Sequence, residues 1–246
     1  MAAIMLTSML NLRSCLVFVC LSLSILVAGR TLALSIPGTS EASSPKPPIW
    51  PDQFTSKFTV RIEEYGDKFS KPGVIYYDWN IKTLRSDFIH WCLPLFDKPE
   101  QYNNYTCSFL ITGGNTYFVN HTSSTWEDHD CCLFEKGLGP VTPDWVKSCQ
   151  YNGTAMLRGQ KVDVWWVPGT LDPEKPCFGY WDRVDDHTPV RFYGIVAIGP
   201  AMLDYDSFQV GPPSAEMTKP VGGCSKECHP TGQRSRLFDM PWPSCP

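Results

Sequence analysis

The chain has 246 residues with 22 Pro, 18 Gly and 11 Cys, and 19% of its residues are charged. Such a composition belongs to a folded chain and excludes global disorder, a collagen repeat and a coiled coil. A net charge of −4 without clustered Lys and Arg also argues against nucleic acid as the main partner.

Arg13 precedes an apolar run, Cys15 to Ala28, and small residues at Val27 to Gly29 and Thr31 to Ala33 offer cleavage positions. This reads as a secretory signal peptide over 1–33. An uncleaved anchor is the competing reading, but the 14 residues of the run fall short of the roughly 20 that span a bilayer. A cut after Ala33 removes Arg13 and Arg30 and no acid, which leaves 19 basic against 25 acidic residues and a charge of −6.

Two cysteines leave with the leader, and nine stay: Cys92, Cys107, Cys131, Cys132, Cys149, Cys177, Cys224, Cys228 and Cys245. In an oxidising compartment these form disulfides, with one thiol left over to be buried or paired with another chain. Adjacent Cys131 and Cys132 are expected to bond different partners, since neighbouring side chains on a strand point to opposite faces. Sequons at Asn104, Asn120 and Asn152 agree with a secreted product.

Residues 34–49 are rich in Pro and Ser and read as a flexible N-terminus, with folded structure beginning near Trp50. Alternation then sets in, with Phe58, Val60 and Ile62 on one side of a strand and Thr59, Arg61 and Glu63 on the other. Further strands are expected at Gly73 to Trp79, Cys107 to Thr112, Thr116 to Thr122, Cys131 to Phe134, Lys161 to Val167, Cys177 to Trp181 and Arg191 to Ile198. The polar segment Asp182 to Thr188 connects a hairpin. Ser86 to Leu95 and Tyr205 to Phe208 are the only short helix candidates. About nine strands predict an all-β domain over 50–221, a single curved antiparallel sheet forming a half-barrel or sandwich, stapled by disulfides and with few short helices. Residues 222–246 read as a Cys-rich tail lying against that sheet.

The motifs Trp50-Pro51-Asp52-Gln53-Phe54, Tyr76-Tyr77-Asp78-Trp79-Asn80, Pro143-Asp144-Trp145, Gly159 to Trp166, Tyr180-Trp181-Asp182, Pro189-Val190-Arg191-Phe192 and Ser207 to Gly211 span residues 50–211. In that order they resemble a family of secreted plant proteins of unestablished function, some of which are labelled glycosyl-group transferases. More distantly, the Tyr-x-Asp turn, the Val-x-Val-Trp strand and the hairpin ending in Pro-Val-Arg are similar to ependymin-related glycoproteins, built like the bacterial periplasmic lipoprotein carrier. The chain departs from both in its wealth of cysteine. The resemblance implies a curved sheet whose concave face holds an apolar molecule. Nine Trp, ten Tyr and 13 Phe agree in kind, since aromatic-lined clefts suit such ligands, although the same rings could simply fill a core.

Tyr76, Trp79, Trp165, Trp166, Tyr180, Trp181 and Phe192 are the candidate cleft residues. Candidate chemistry is weaker. The Trp126 to Cys132 run sets acids and His129 beside two thiols, but no partner pair with zinc spacing is visible. Cys224-x3-Cys228-His229 also suggests zinc, but in an exported protein thiols this close, with Cys245 nearby, are more often bridged. Asp182, Asp185, Asp186 and His187 read as a solvated hairpin tip, with weak calcium binding left open by the ependymin resemblance. Asp204-Tyr205-Asp206 matches a metal-phosphate motif in letters only, because the alternating strands and helices of a nucleotide-sugar domain are missing. The expected function is binding of a hydrophobic or amphipathic small molecule by a secreted protein, with no cofactor and no metal. A glycan-acting enzyme using acids among Asp78, Asp182, Asp204 and Asp206 is the alternative, as is a cell-wall or matrix glycoprotein. The odd cysteine suggests a disulfide-linked dimer.

Overall fold

Where β-branched and aromatic residues alternate with polar ones, or run in short stretches between Gly, Pro and Asn turns, the backbone extends. The structure is a computed structural model, and it describes residues 44–63, 66, 69–92, 104–121, 130–168, 176–196, 199–219, 224 and 226–228. The expected leader, most of the Pro/Ser-rich segment, residues 126–129, His229 and Cys245 lie outside the described residues. The described strands are β1 (Gln53–Ile62), β2 (Lys71–Asp78), β3 (Thr83–Phe88), β4 (Cys107–Thr112), β5 (Asn115–Asn120), β6 (Asp130–Lys136), β7 (Gln150–Leu157), β8 (Gln160–Pro168), β9 (Pro176–Arg183), β10 (Pro189–Val196) and β11 (Gly199–Val210). A 3₁₀ turn at Trp145–Ser148 and a single-turn helix, α1 (Ala215–Thr218), complete the elements.

All eleven strands belong to one sheet, in the order β6-β5-β4-β3-β2-β1-β11-β10-β9-β8-β7, and each neighbouring pair is antiparallel. The chain therefore meanders outward from β1 to one edge at β6 and must reach the far edge at β7 before meandering back to β1. Residues 137–149 make that passage, and they carry Val141, Trp145 and Val146 into the core.

Contacts across one face measure the curvature. In the sheet order β2 and β9 stand four strand spacings apart, roughly 19 Å on a flat sheet. Yet the Trp50 ring lies 5.6 Å from that of Tyr77 on β2 and 6.3 Å from that of Tyr180 on β9, so the two tyrosines are at most about 12 Å apart. The sheet is curled, and the face carrying Phe54, Phe58, Tyr77, Phe88, Phe109, Trp165 and Tyr180 is concave. Of the two architectures expected from the sequence, the single open curved sheet is the one formed.

Three bridges are described: Cys92–Cys107, Cys131–Cys224 and Cys132–Cys228. Adjacent Cys131 and Cys132 take different partners, as alternation requires. Cys224 and Cys228 are thus bridged thiols rather than zinc ligands. They fasten 224–228 alongside β6, where the Leu133 amide donates to Lys226 and Leu133 accepts from the Cys228 amide. Cys177 is also disulfide-bonded, whereas Cys149 keeps a free thiol.

Three strands differ from the sequence expectation. Ser86 to Phe88 belongs to β3 and Tyr205 to Phe208 to β11, so neither helix candidate forms a helix there. Both strands carry charged residues at buried positions: Arg85 pairs with Asp87, and Asp204 pairs with Arg191 and Arg61, which removes the apolar alternation that marks a strand. The third, β7, is an edge strand exposed along much of its length, which is why it shows little hydrophobic pattern.

Gly73 is a point of close approach, because a Cβ there would strike the Phe58 ring and come 2.6 Å from the Asp87 carbonyl oxygen. Gly73→Ala is expected to destabilise the fold by about 1–3 kcal/mol, as other overpacked cores do. Gly139→Ala, where nothing lies within 4 Å, should leave the urea midpoint unchanged. Equal midpoints for the two variants would refute this packing account.

Candidate functional site

The concave face is lined from edge to edge by aromatic rings. Trp50, from the segment before β1, sits at its centre with Phe54, Tyr77 and Trp145 in edge-to-face contact at 5.2 to 5.6 Å. Its indole N–H donates to the Tyr180 hydroxyl at 2.9 Å, and its backbone amide donates to Pro143 in the 137–149 passage. The Tyr77 hydroxyl donates to Val141 of the same passage. Trp145 reaches over to Tyr180 and Phe192. Burial raises the hydroxyl pKa of Tyr77 and Tyr180, so both stay neutral donors and acceptors. Two segments that are not strands thus pack over the middle of the concave face, burying Phe54, Tyr77, Trp165 and Tyr180 in the core, and Tyr151, Phe192 and Phe208 lie partly exposed around them.

At the β8–β9 end the same face turns polar. Asp163 and Asp182 stand opposite each other in register, both buried. The Trp165 indole N–H donates to Asp182 Oδ1 at 2.7 Å, His187 Nδ1 lies 2.6 Å from Asp182 Oδ2, and the Tyr151 hydroxyl donates to Asp163. One ligand atom from each of Asp163, Asp182 and His187 lies within 4.8 Å of the others, so these residues could gather round a metal ion. The close His187–Asp182 separation opposes that role, because two ligands each about 2.0–2.2 Å from one tetrahedral ion stand roughly 3.3–3.6 Å apart. The cluster is built as a hydrogen-bonded network that satisfies the buried Trp165 indole. The sequence expectation of a fully solvated tip holds for Asp185 and Asp186, which are exposed beside Arg183, but Asp182 is fully buried.

The convex face carries ion pairs. Arg191 and Arg61 both bind Asp204, and Arg158 and Thr59 hold Asp206. Asp78 accepts from the Gln53 side chain and the Asn80 amide. Asp204 and Asp206 therefore end in arginine contacts, and of the four acids that glycan chemistry would use, only Asp182 is on the concave side. Nearer β6, Arg85 grips Asp87, which also accepts from the Ser108 hydroxyl. Because that hydroxyl gives its proton to Asp87, His121 Nε2 must donate to Ser108 Oγ. A cavity of about 740 Å³ lies between this chain of bonds and α1, lined by Ile89, Thr106 and Met217 beside Glu216 and Lys219.

The seven candidate cleft residues divide between the faces. Trp165, Tyr180 and Phe192 are concave. Tyr76 is convex and faces Arg85, Trp166 is opposite Gly179, and the Trp181 ring lies over Gly179 on the convex side. Trp79 is in the turn after β2, beneath the Lys82 ammonium. Trp50, Phe54, Tyr77, Trp145, Tyr151 and Phe208 share the concave face without having been singled out; the Trp-Pro-Asp and Pro-Asp-Trp motifs were the available signal for two of them. Among the sequon asparagines Asn104 and Asn152 are exposed and Asn120 is half-buried.

Fold and site together define an all-β, disulfide-stapled protein built on one open curled sheet with an aromatic concave face. Neither protein-family models nor curated proteins yield a match to the chain. Among solved structures it is similar to an uncharacterized conserved protein from Thermus thermophilus, with TM-score 0.44 and 12% identity over 72% of this chain and 90% of that one. It is also similar to a domain assigned to outer membrane lipoprotein sorting from Vibrio parahaemolyticus, with TM-score 0.30 and 10% identity over 67% and 88%. A DUF1329 family protein from Desulfovibrio piger gives TM-score 0.24 and 11% identity over 68% and 90%. Likenesses this slight carry no argument about activity.

Two measurements probe the site. Burial, the largest influence, raises the Asp182 carboxyl above its ordinary value, so the folded state holds that proton more tightly than the unfolded state does. The stability this confers is full below the ordinary aspartate value near 4 and is lost as pH rises through the raised value. Asp182→Asn, which can still accept from Trp165, should flatten the pH dependence of the melting temperature over that interval; an unaltered slope would contradict the assignment. Burial likewise pushes the Cys149 thiol up to about 11. Peptide mapping after alkylation at neutral pH should find Cys149 unmodified in the folded protein and labelled once it is unfolded.

Proposed function

We propose that the chain is a secreted, N-glycosylated binding protein that holds a hydrophobic or amphipathic small molecule against the concave face of its half-barrel and performs no covalent chemistry. The observation that carries this reading is the way the aromatic concave face is covered: among the described residues, by Trp50 and by the 137–149 passage, not by a second sheet. An apolar surface covered by segments outside the strand ladder can be uncovered without breaking a strand pair. The disulfides suit an oxidising compartment, and the exposed Asn104 and Asn152 suit glycosylation. The glycan-enzyme alternative is disfavoured because Asp78, Asp204 and Asp206 face away from Asp182, and because Asp182 is buried beneath its own hydrogen-bond partners.

Native mass spectrometry of protein purified from a secretory host is expected to show a retained apolar adduct that organic solvent strips. The emptied protein should then bind a fluorescent fatty-acid probe. Phe192→Ala should weaken that probe about tenfold, the equivalent of about 1.4 kcal/mol for one lost aromatic contact, while Trp181→Ala on the convex side should not change it. No adduct together with no probe binding, or equal effects of the two variants, would reject the reading.

A further inference from the structure

An open sheet has two edges, and each presents a row of unpaired amide and carbonyl groups on which another chain can assemble. The two edges of this sheet are treated differently. At β6 the segment 226–228 lies alongside the strand, hydrogen-bonded to Leu133 and tied by the Cys131 and Cys132 bridges. At β7 no described strand or segment pairs with the outer side.

Native proteins usually guard such an edge with lysine, other charges or proline. The β7 sequence, QYNGTAML, contains none of these and leaves Met156 71% exposed. What it has is the sequon. The register runs from Tyr151, opposite Trp165, directly to Thr154, opposite Asp163, so Asn152 and Gly153 form a bulge outside the ladder. Gly153 takes a positive φ of 89°, which only glycine adopts freely, and Asn152 and Thr154 are both exposed. The acceptor is thus presented to solvent from a bulge in the one edge that no described segment covers and that carries no charge or proline.

We propose that an N-linked oligosaccharide on Asn152 shields the β7 edge and keeps the protein from pairing edge to edge with a second copy of itself. The glycan is bulky and hydrated, and a strand approaching β7 would have to displace it. Without it, two β7 strands meet antiparallel about a twofold axis and join two sheets into one. The proposal rests on the secretory reading above but not on the identity, or the existence, of a bound ligand.

The test uses full-length protein secreted from a eukaryotic host. Glycopeptide mapping should find Asn152 occupied, and light scattering after size exclusion should report a monomer. Asn152→Gln should double the weight-average mass at the same concentration, whereas Asn104→Gln should not. Thr154→Ser, which keeps the sequon, should remain occupied and monomeric. Asn152→Lys, which restores an edge charge without a glycan, should also be monomeric, and this separates edge protection from a general need for the sugar in folding. An unoccupied Asn152 in protein whose Asn104 is glycosylated would overturn the proposal while sparing the secretory reading; if no sequon is occupied, both fail. A monomeric Asn152→Gln, or an Asn152→Lys that dimerises as that variant does, would also overturn it.

Discussion

The indole of Trp50 holds the curl of the sheet. It comes from a segment outside the strand ladder, inserts between Tyr77 on one wing and Tyr180 on the other, and donates its N–H to the Tyr180 hydroxyl. Edge-to-face aromatic pairs contribute roughly 0.5–1.5 kcal/mol beyond the area they bury, and Trp50 makes such contacts with Phe54, Tyr77 and Trp145. The hydrogen bond adds direction, because it satisfies a phenol that would otherwise be buried without a partner. Its backbone amide fixes Pro143, so the passage carrying Trp145 is seated by the same residue. Without that anchor the two wings would be joined over the concave face by the passage, through the contacts of Trp145 with Tyr180 and Phe192 and the bond from the Tyr77 hydroxyl to Val141.

Polar burial follows the same economy on both faces. Each buried acid has a named donor: Trp165 and His187 for Asp182, Tyr151 for Asp163, Arg191 and Arg61 for Asp204, and Gln53 and Asn80 for Asp78. Breaking one partner from such a pair leaves a desolvated charge behind, which costs far more than the pair contributes when intact. These acids thus serve first to satisfy buried donors and cations within the fold. A binding role asks less of them, because it needs only that the aromatic side of the sheet stay rigid.

The strands that were legible in the sequence are those with an uninterrupted apolar or alternating run ending in a turn. β4 was readable to the residue because Gly113-Gly114 follows it, and β1 because Phe58, Val60 and Ile62 alternate cleanly with polar residues. β3 and β11 were hidden by charged residues, and the burial of Arg85 and Asp204 is only explicable once their ion partners are known, Asp87 two residues along the same strand for the first and Arg191 and Arg61 on the two flanking strands for the second. The concave surface was legible as a composition but not as a list of residues. Tyr76-Tyr77, Trp165-Trp166 and Tyr180-Trp181 each put one ring on either face, and register alone decides which is inward. Trp50 and Trp145 carry no period at all, since neither lies in a strand.

The distribution of covalent bonds bears on how the hollow could open. The three described bridges with both partners known all lie on the β4–β6 side of the sheet, whereas the 137–149 passage ends at Cys149, whose thiol is free. That passage is held to the sheet by hydrogen bonds from the Trp50 amide and the Tyr77 hydroxyl, by the edge-to-face contacts of Trp145 and by the burial of Val146. Local opening draws on the parts of a structure with the fewest cooperative bonds, and a strand inside the sheet can leave only by losing two ladders. Displacing the passage would also expose Trp145 and Val146, which it buries in the core. The β4–β6 wing is thus fastened covalently, whereas the described contacts of the passage are all noncovalent.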